Sequence, residues 1–472
     1  MIFTKNRGVI IIDILLALSL ATFFIALITE SSFEARNMFE RAKMKDSALD
    51  SFENGTTAEL LITSQPFGND MIEKNIDSNG VLFISVESLP ATNYSEFSGT
   101  PFCSVDFSNR EIVGSYSFLR KAWNIGNNSN LNMLEKVDAS NISIEPITLP
   151  VNPLLPLTDL EVRNGVAYIS TDSTTALDPD LFVVDIHDQN NPTLLSSINT
   201  GPGISSFVLA GKRIFAAAAS TANQLHIIHL NSLSSLSLEE KFKLPLPYAT
   251  ATPPFGSSIF YKNGLVYLGT EKWDGDEFSI IDVNNPMVPL KIGGFETGSK
   301  INDIFIHDKF AYVADSDHDQ LRVLDLNNIA NPTIANSFSS SGWNRQEGKV
   351  ISFFEDGLAL GRTSGGFDIA SDHEVFVFAT TSSTTLERFS SMNIPGGVYG
   401  IVADRARLYL ATREVDKELQ IVNYSIQSGS VLGTSTNISF SLPVAPKTIA
   451  CDNGSLYILA HSAPVIYEIS FK

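Results

Sequence analysis

Phe182-Val183-Val184-Asp185-Ile186, with Asn191-Pro192-Thr193 close behind it, decides the fold of this chain because the chain repeats it. Phe278-Ser279-Ile280-Ile281-Asp282-Val283 leads to Asn285-Pro286-Met287, and Leu321-Arg322-Val323-Leu324-Asp325-Leu326 leads to Asn331-Pro332-Thr333. Looser copies stand at Leu225–Leu230, Val375–Phe378, Leu419–Asn423 and Val465–Ile469, which makes seven. Ahead of the copies lie apolar runs such as Val166-Ala167-Tyr168-Ile169, Leu265-Val266-Tyr267-Leu268 and Leu456-Tyr457-Ile458, each preceded by a turn: Asn164-Gly165, Asn263-Gly264 or Asn453-Gly454. Asn-Gly suits the two-residue hairpin turn, whose central residues both need positive φ, so each unit reads as consecutive antiparallel strands. Counted from Asp185 through His229, Asp282, Asp325, Ala379 and Asn423 to Glu468, the spacing runs between 43 and 54 residues. Four short strands per such period describe a propeller blade. A parallel β-helix needs a far shorter period, and a sandwich does not repeat one internal grammar.

The last unit offers three strands before Lys472, while Asn141-Ile142-Ser143-Ile144-Glu145-Pro146-Ile147, just ahead of the first unit, is a strand without a partner. If it supplies the missing outer strand, the ring closes and no bare sheet edge remains there. The expected fold is mainly β: a seven-bladed β-propeller of four-stranded blades over residues 139–472. The units resemble LVIVD-type propeller repeats, whose third strand reads apolar-apolar-Asp-apolar followed by Asn-Pro. The first, third and fourth units match well, and the second, fifth and sixth are degenerate.

The N-terminus carries a different signal. Lys5-Asn6-Arg7-Gly8 runs into the apolar stretch Val9–Ile28, which holds a single acid, Asp13. Twenty residues at about 1.5 Å rise just span a bilayer core as a helix, and a carboxylate in hydrocarbon is costly unless it has a partner. The stretch resembles the N-terminus of type IV pilins and pseudopilins. The resemblance implies cleavage by a prepilin peptidase after Gly8, a mature and N-methylated Val9, and pairing of Asp13 with the freed amine of a neighbouring subunit during assembly. Val9 stands where that family usually has phenylalanine, and Asp13 replaces its usual glutamate. An ordinary secretory signal would have a shorter apolar run followed by a small-residue cleavage site, and a plain membrane anchor would need no internal acid. The basic leader places the N-terminus on the cytoplasmic side, so the remainder is expected outside the membrane.

Past the apolar run, Phe33, Met38, Phe39, Ala42 and Leu49 lie among mixed charges, as on a solvated helix with one apolar stripe, and Asn54-Gly55 ends it. The expected organisation is a leader at 1–8, a long pilin-like α-helix at 9–54 with its membrane or filament half at 9–28, a small β-rich region and linker at 55–138, and the propeller. Strands are expected at Val81–Val86 and Phe102–Phe107, with turns at Pro66-Phe67-Gly68 and Ser78-Asn79-Gly80.

The chain has a formal charge of −20, yet charged residues make up only 18% of it. Polyanion binding needs Lys/Arg patches that release counterions, and the basic groups here are small, such as Arg110, Arg120 and Lys121, so no nucleic-acid partner is expected. The chain has two cysteines, Cys103 and Cys451. An exported chain allows a disulfide between them, while two separate buried thiols are the alternative. Asp315, Asp317 and Asp319, in Asp315-Ser316-Asp317-His318-Asp319, are calcium candidates because alternate residues of a turn can aim carboxylates at one hard cation. Asp274-Gly275-Asp276-Glu277 offers a weaker version, and a solvated acidic turn is the ordinary outcome for both. The repeated Asp185, Asp282 and Asp325 read as strand-end hydrogen-bonding devices. His226 and His229, three apart in a strand, point to opposite faces.

No G-x-S-x-G elbow, H-E-x-x-H or glycine-rich phosphate loop is present in the sequence, so no catalytic residue is assigned. The expected function is a non-enzymatic, surface-displayed minor pilin or pseudopilin-like subunit. It would be single-pass in the membrane before assembly and part of a cell-surface filament afterwards. Its partners would be other pilin-like subunits, the prepilin peptidase, the membrane and an unknown surface ligand met by the propeller in recognition or adhesion. The alternatives are a membrane-anchored propeller hydrolase or lyase and a plain anchored structural protein.

Overall fold

The computed structural model describes residues 142–471 except 174–177, 317–318, 341–346, 355–356, 364–372, 383–384, 404–406, 424, 428–429, 433–436 and 453–454. It also describes the backbone of two strands, Asp70–Ile76 and Leu82–Ser88. These two pair antiparallel, Asp70 opposite Ser88 and Ile76 opposite Leu82, on either side of the turn expected at Ser78-Asn79-Gly80. The second starts one residue later than expected and runs to Ser88. The leader, the 9–54 helix with Gly8, Val9 and Asp13, the expected strand Phe102–Phe107, Cys103 and Asp317 lie outside the described residues.

Seven four-stranded antiparallel sheets form the propeller. In blade one, Leu157–Arg163, Val166–Thr171, Leu181–Asp185 and Thr193–Ile198 pair in chain order. Blades two to six begin their first strands at Ile204, Gly256, Ile301, Gly348 and Val398. First strands of adjacent blades meet one another, so they line the axis. Blade six inserts a small hairpin, Ser425–Gln427 with Ser430–Leu432, before its outer strand Asn437–Phe440. Blade seven consists of Pro446–Asp452, Ser455–Ala460 and Val465–Phe471, and its outer strand is Ile142–Thr148, with Ile142 opposite Phe471 and Thr148 opposite Val465. The ring closes as the strand count predicts. The repeat register needs one correction. Asp185 pairs with Val166, the first residue of its second strand, whereas Leu456 pairs with Ile469, so the seventh equivalent of Asp185 is Ser470 and not Glu468.

Each blade is buried on both faces by its neighbours, which explains the near-continuous apolar second strands. All six residues are buried in Val166–Thr171, Phe310–Asp315, Gly357–Arg362 and Arg407–Thr412. Successive side chains of a strand point to opposite faces: Val166 and Tyr168 pack toward blade two with Phe207, Leu209 and Ile214, while Ala167 and Ile169 pack toward blade seven with Tyr457, Leu459 and Ile466. The core is therefore a ring of inter-blade clusters. Ile147 and Leu149, from the closing segment, are buried in the cluster that joins blades seven and one. Polar clamps reinforce that seam: the Gly165 N–H donates to Asp452 at 3.0 Å and the Gln189 amide to Glu468 at 2.6 Å. The Asn164-Gly165 turn has φ of 49° and 69°, and a Cβ on Gly165 would meet the His187 ring at 2.7 Å.

The repeated aspartates at the third-strand ends accept N–H bonds from two residues further on: Asp185 from His187 at 3.0 Å, Asp282 from Asn284 at 2.9 Å and Asp325 from Asn327 at 2.8 Å. A second device recurs at the other end of the same strands. The residue just before the third strand turns inward and accepts backbone N–H groups of the chain leading to the next blade. Asp180 takes Thr200 and Gly201, Gln224 takes Leu244, and Glu277 takes Thr297 and Gly298. Gln320 takes Ser340, Glu374 takes Ile394, and Glu418 takes Leu442.

Two outcomes test this account. A chain starting at Leu157 loses the closing strand and the burial of Ile147 and Leu149, each worth about 2–3 kcal/mol. It should melt roughly ten degrees below a chain starting at Ala139 and be prone to association through the bare edge; equal melting temperatures would show that the ring does not depend on this strand. Glu277→Ala, which strands the Thr297 and Gly298 N–H groups, should cost about 2–3 kcal/mol in urea unfolding.

Candidate functional site

Every first strand opens with a register irregularity at its second residue, between Leu157 and Asp159, Ile204 and Ser206, Gly256 and Ser258, Ile301 and Asp303, Gly348 and Val350, Val398 and Gly400, and Pro446 and Thr448. A bulge re-aims the side chain it carries. The seven bulged residues are Thr158, Ser205, Ser257, Asn302, Lys349, Tyr399 and Lys447. The residue before each first strand is tied to the residue after the second strand by a recurring bond: the N–H groups of Asp172, Ala219, Glu271, Ser316, Thr363, Arg413 and His461 donate to the carbonyls of Pro156, Gly203, Phe255, Lys300, Glu347, Gly397 and Ala445. These three sets of positions form the rim of the axial channel at one end.

The rim has two different arcs. In blades one, three and four the bulged side chain bonds the next blade: Thr158 Oγ1 and Ser257 Oγ each donate at 2.6 Å to the carbonyls of Ile204 and Ile301, and Asn302 Nδ2 donates at 2.8 Å to Gly348. Blades five to seven replace these bonding residues with Lys349, Tyr399 and Lys447. The Arg413 guanidinium lies 3.7 Å over the Tyr399 ring, a cation–π contact. Lys300 is paired with Glu271 at 2.5 Å. Neither the Lys349 nor the Lys447 ammonium makes a hydrogen bond or ion pair among the described residues.

Burial pushes Lys349 down to about 8, with the positive charges of Lys300 and Lys447 adding to it. Burial, followed by the Arg413 charge, also lowers Lys447. His461 is held below its usual range by burial and by Arg413 and Lys447, which leaves it neutral at pH 7. Burial raises Asp159, and raises Asp303 to about 7. Their oxygens are committed to the protein: Asp159 accepts from Leu160 N at 2.9 Å, Ser206 Oγ at 2.8 Å and Phe207 N at 3.2 Å. Asp303 accepts from Ile304 N at 2.8 Å and Ile351 N at 2.7 Å. The channel carboxylates are thus turned toward their own and the next blade, while among the described residues the Lys349 and Lys447 ammoniums are uncommitted and Arg413 donates its Nε to the Pro446 carbonyl at 3.5 Å.

The residues singled out in the sequence lie elsewhere. Asp315 is fully buried, with Ser299 donating to it and Arg322 Nη1 at 2.8 Å, and Asp319 lies 3.5 Å from Arg322 Nε. These carboxylates surround a guanidinium, and among the described residues no group of three or more His, Cys, Asp or Glu could hold a metal ion. In the weaker candidate loop, Asp276 pairs with Lys291 at 2.7 Å, Tyr248 donates to Asp274, and Glu277 serves the blade connection. Cys451 is disulfide-bonded, and the chain's other cysteine is Cys103. His226 is buried and its pKa is pushed down to about 4 by burial, so it is a neutral blade residue. A void of about 10 Å³ bounded by Val375, Val377, Met392, Leu408 and Val422 lies between blades five and six, too small for a ligand. Lys349, Arg413 and Lys447 escape a sequence reading because each is a single basic residue; their only signal is position, two residues into a unit or just after its second strand.

No protein-family model matches this chain, and no curated protein sequence does. Solved structures do. The chain is similar to a chain of a mitotic checkpoint complex, at 12% identity and a TM-score of 0.50, covering 72% of this chain and 94% of that one. It is also similar to streptogramin B lyase, at 11% identity and a TM-score of 0.50, covering 71% of this chain and 99% of that one. Likenesses this remote concern the fold, and the fold they share is the β-propeller.

The lowered pKa of Lys349 has a measurable sign. In the folded chain it titrates near 8 instead of 10.5, so the unfolded chain holds the proton more tightly and stability should rise as pH climbs from about 8 to 10.5. Lys349→Met should raise the melting temperature by a few degrees at pH 7, and the gain should vanish near pH 10.5. A pH series of melting curves for both proteins checks this.

Proposed function

We propose that this chain is a tethered display protein. A pilin-like N-terminal segment inserts in the membrane and docks with other pilin-like subunits, and the propeller serves as a non-enzymatic recognition head. One observation carries the display geometry. The closing strand runs from Ile142, opposite Phe471, to Thr148, opposite Val465, and it is the Val465 end that lies on the side of the rim. The chain therefore joins the propeller at the end of blade seven away from the rim, which leaves the rim facing away from the attachment point. The order of Arg7, Gly8, the apolar run and Asp13 supplies the support for processing and assembly. A head of this size on every subunit would crowd a filament whose helices pack about a nanometre apart, which favours a minor or tip component.

A second reading, an anchored hydrolase or lyase, draws support from Asp303 near 7 and Lys349 near 8 in one channel, since displaced titrations of this kind gather at active sites. Against it, the Asp303 oxygens accept from Ile304 and Ile351, which leaves the acid holding strands together.

The tether reading is tested at the N-terminus. Mass spectrometry of the exported protein should find a chain starting at N-methylated Val9, and Gly8→Glu should leave the precursor uncut. Asp13→Ala should reach the membrane but fail to enter filaments, because the freed amine loses its partner charge. An unprocessed wild-type N-terminus would sink the proposal.

A further inference from the structure

The unbalanced arc of the rim calls for a ligand. The chain is strongly acidic overall, with a formal charge of −20, yet three cations converge on one arc from adjacent blades. Burial is the main cause that lowers both lysines, and beyond it the charge of Lys447 acts on Lys349 and that of Arg413 on Lys447, with Lys300 acting on both. Gathering like charges in a partly buried place is unfavourable unless something compensates them. The protein supplies compensation from carboxylates at a distance, Glu347 and Asp303 for Lys349 and Asp159 and Asp172 for Lys447, but no hydrogen bond or ion pair to either ammonium among the described residues. Asp159 and Asp303 spend their oxygens on N–H groups and the Ser206 hydroxyl, Glu271 is taken by Lys300, and Glu347, which accepts from Asn302 at 3.4 Å, offsets part of the Lys349 charge. The exposed Asp172 of blade one offsets part of the Lys447 charge.

We propose that Lys349, Arg413 and Lys447 bind the oxyanion of a small ligand, a carboxylate or phosphate group, at the mouth of the channel. Arg413 has one face covered by Tyr399 and its Nε donates to the Pro446 carbonyl at 3.5 Å, so it meets a ligand with the edge that carries its two Nη groups, a geometry that matches two oxygens of one anion. The two ammoniums add point charges from the blades on either side of Tyr399. The belt residues Thr158, Ser257 and Asn302 already donate to backbone carbonyls, which keeps the opposite arc rigid and confines the anion to blades five to seven. The proposal depends on the propeller being the recognition head, and it holds whether or not the N-terminus is processed.

The test uses the full-length chain in neutral detergent at pH 7, titrated calorimetrically with inorganic phosphate, citrate or D-glucuronate, each against sodium chloride of equal ionic strength. Saturable binding of at least one anion is expected. Phosphate alone would assign a phosphate-bearing ligand, and citrate or glucuronate alone a carboxylate-bearing one. Lys349→Met, which should fold at least as stably as the parent, and Lys447→Met should each weaken binding at least tenfold. Lys309→Met, at the other end of blade four, should leave it unchanged. Absence of saturable binding for all three anions, or affinities within twofold of wild type in both rim variants, would overturn the proposal. Anion binding by a chain whose N-terminus is never cut would overturn the tether reading alone.

Discussion

The antiparallel ladder between Ile142–Thr148 and Val465–Phe471 is the constraint on which the rest depends. A blade cannot bury its own faces; it relies on the two beside it, and the chain of dependence ends only when the last blade meets the first. The ladder makes that meeting possible by giving blade seven its fourth strand, and the same segment inserts Ile147 and Leu149 into the seam with blade one. Closure also fixes the register of the axial strands, because each touches the next around the ring.

Once the ring is closed, polar groups at blade connections become buried and need partners. The inward acids and amides before the third strands answer that need on one side, while the strand-end aspartates Asp185, Asp282 and Asp325 hold exposed turns on the other. Both are structural uses of charge. They account for the aspartates repeated from blade to blade and for Glu277, which lies in a loop that had the look of a cation site.

The rim is where the sevenfold pattern is broken. Three blades use the bulged residue to bond the next blade, and blades five and seven place a lysine there whose ammonium makes no hydrogen bond or ion pair among the described residues. Substituting a bonding residue with an unpaired cation forgoes one inter-blade hydrogen bond and adds repulsion, so folding alone gives no reason for it. A bound anion does.

The alternation of apolar runs and Asn-Gly turns, the third-strand motif and the surplus strand at Asn141–Ile147 were enough to read the propeller, its blade number and its closure, because strand period and turn chemistry are local properties. The motif even contained the blade-connection device, unread, in the polar residue just ahead of it: Asp180, Gln224, Glu277, Gln320, Glu374 and Glu418. Its alternation among Asp, Glu and Gln hid it, since what recurs is an acceptor oxygen and not a residue. The mouth was not legible at all. Lys349, Arg413 and Lys447 stand tens of residues apart with no spacing in common, and only ring closure carries their blades to one arc of the axis. Strand identity follows from neighbours along the chain, whereas the electrostatic character of the channel follows from neighbours around it, and those exist only in the tertiary structure.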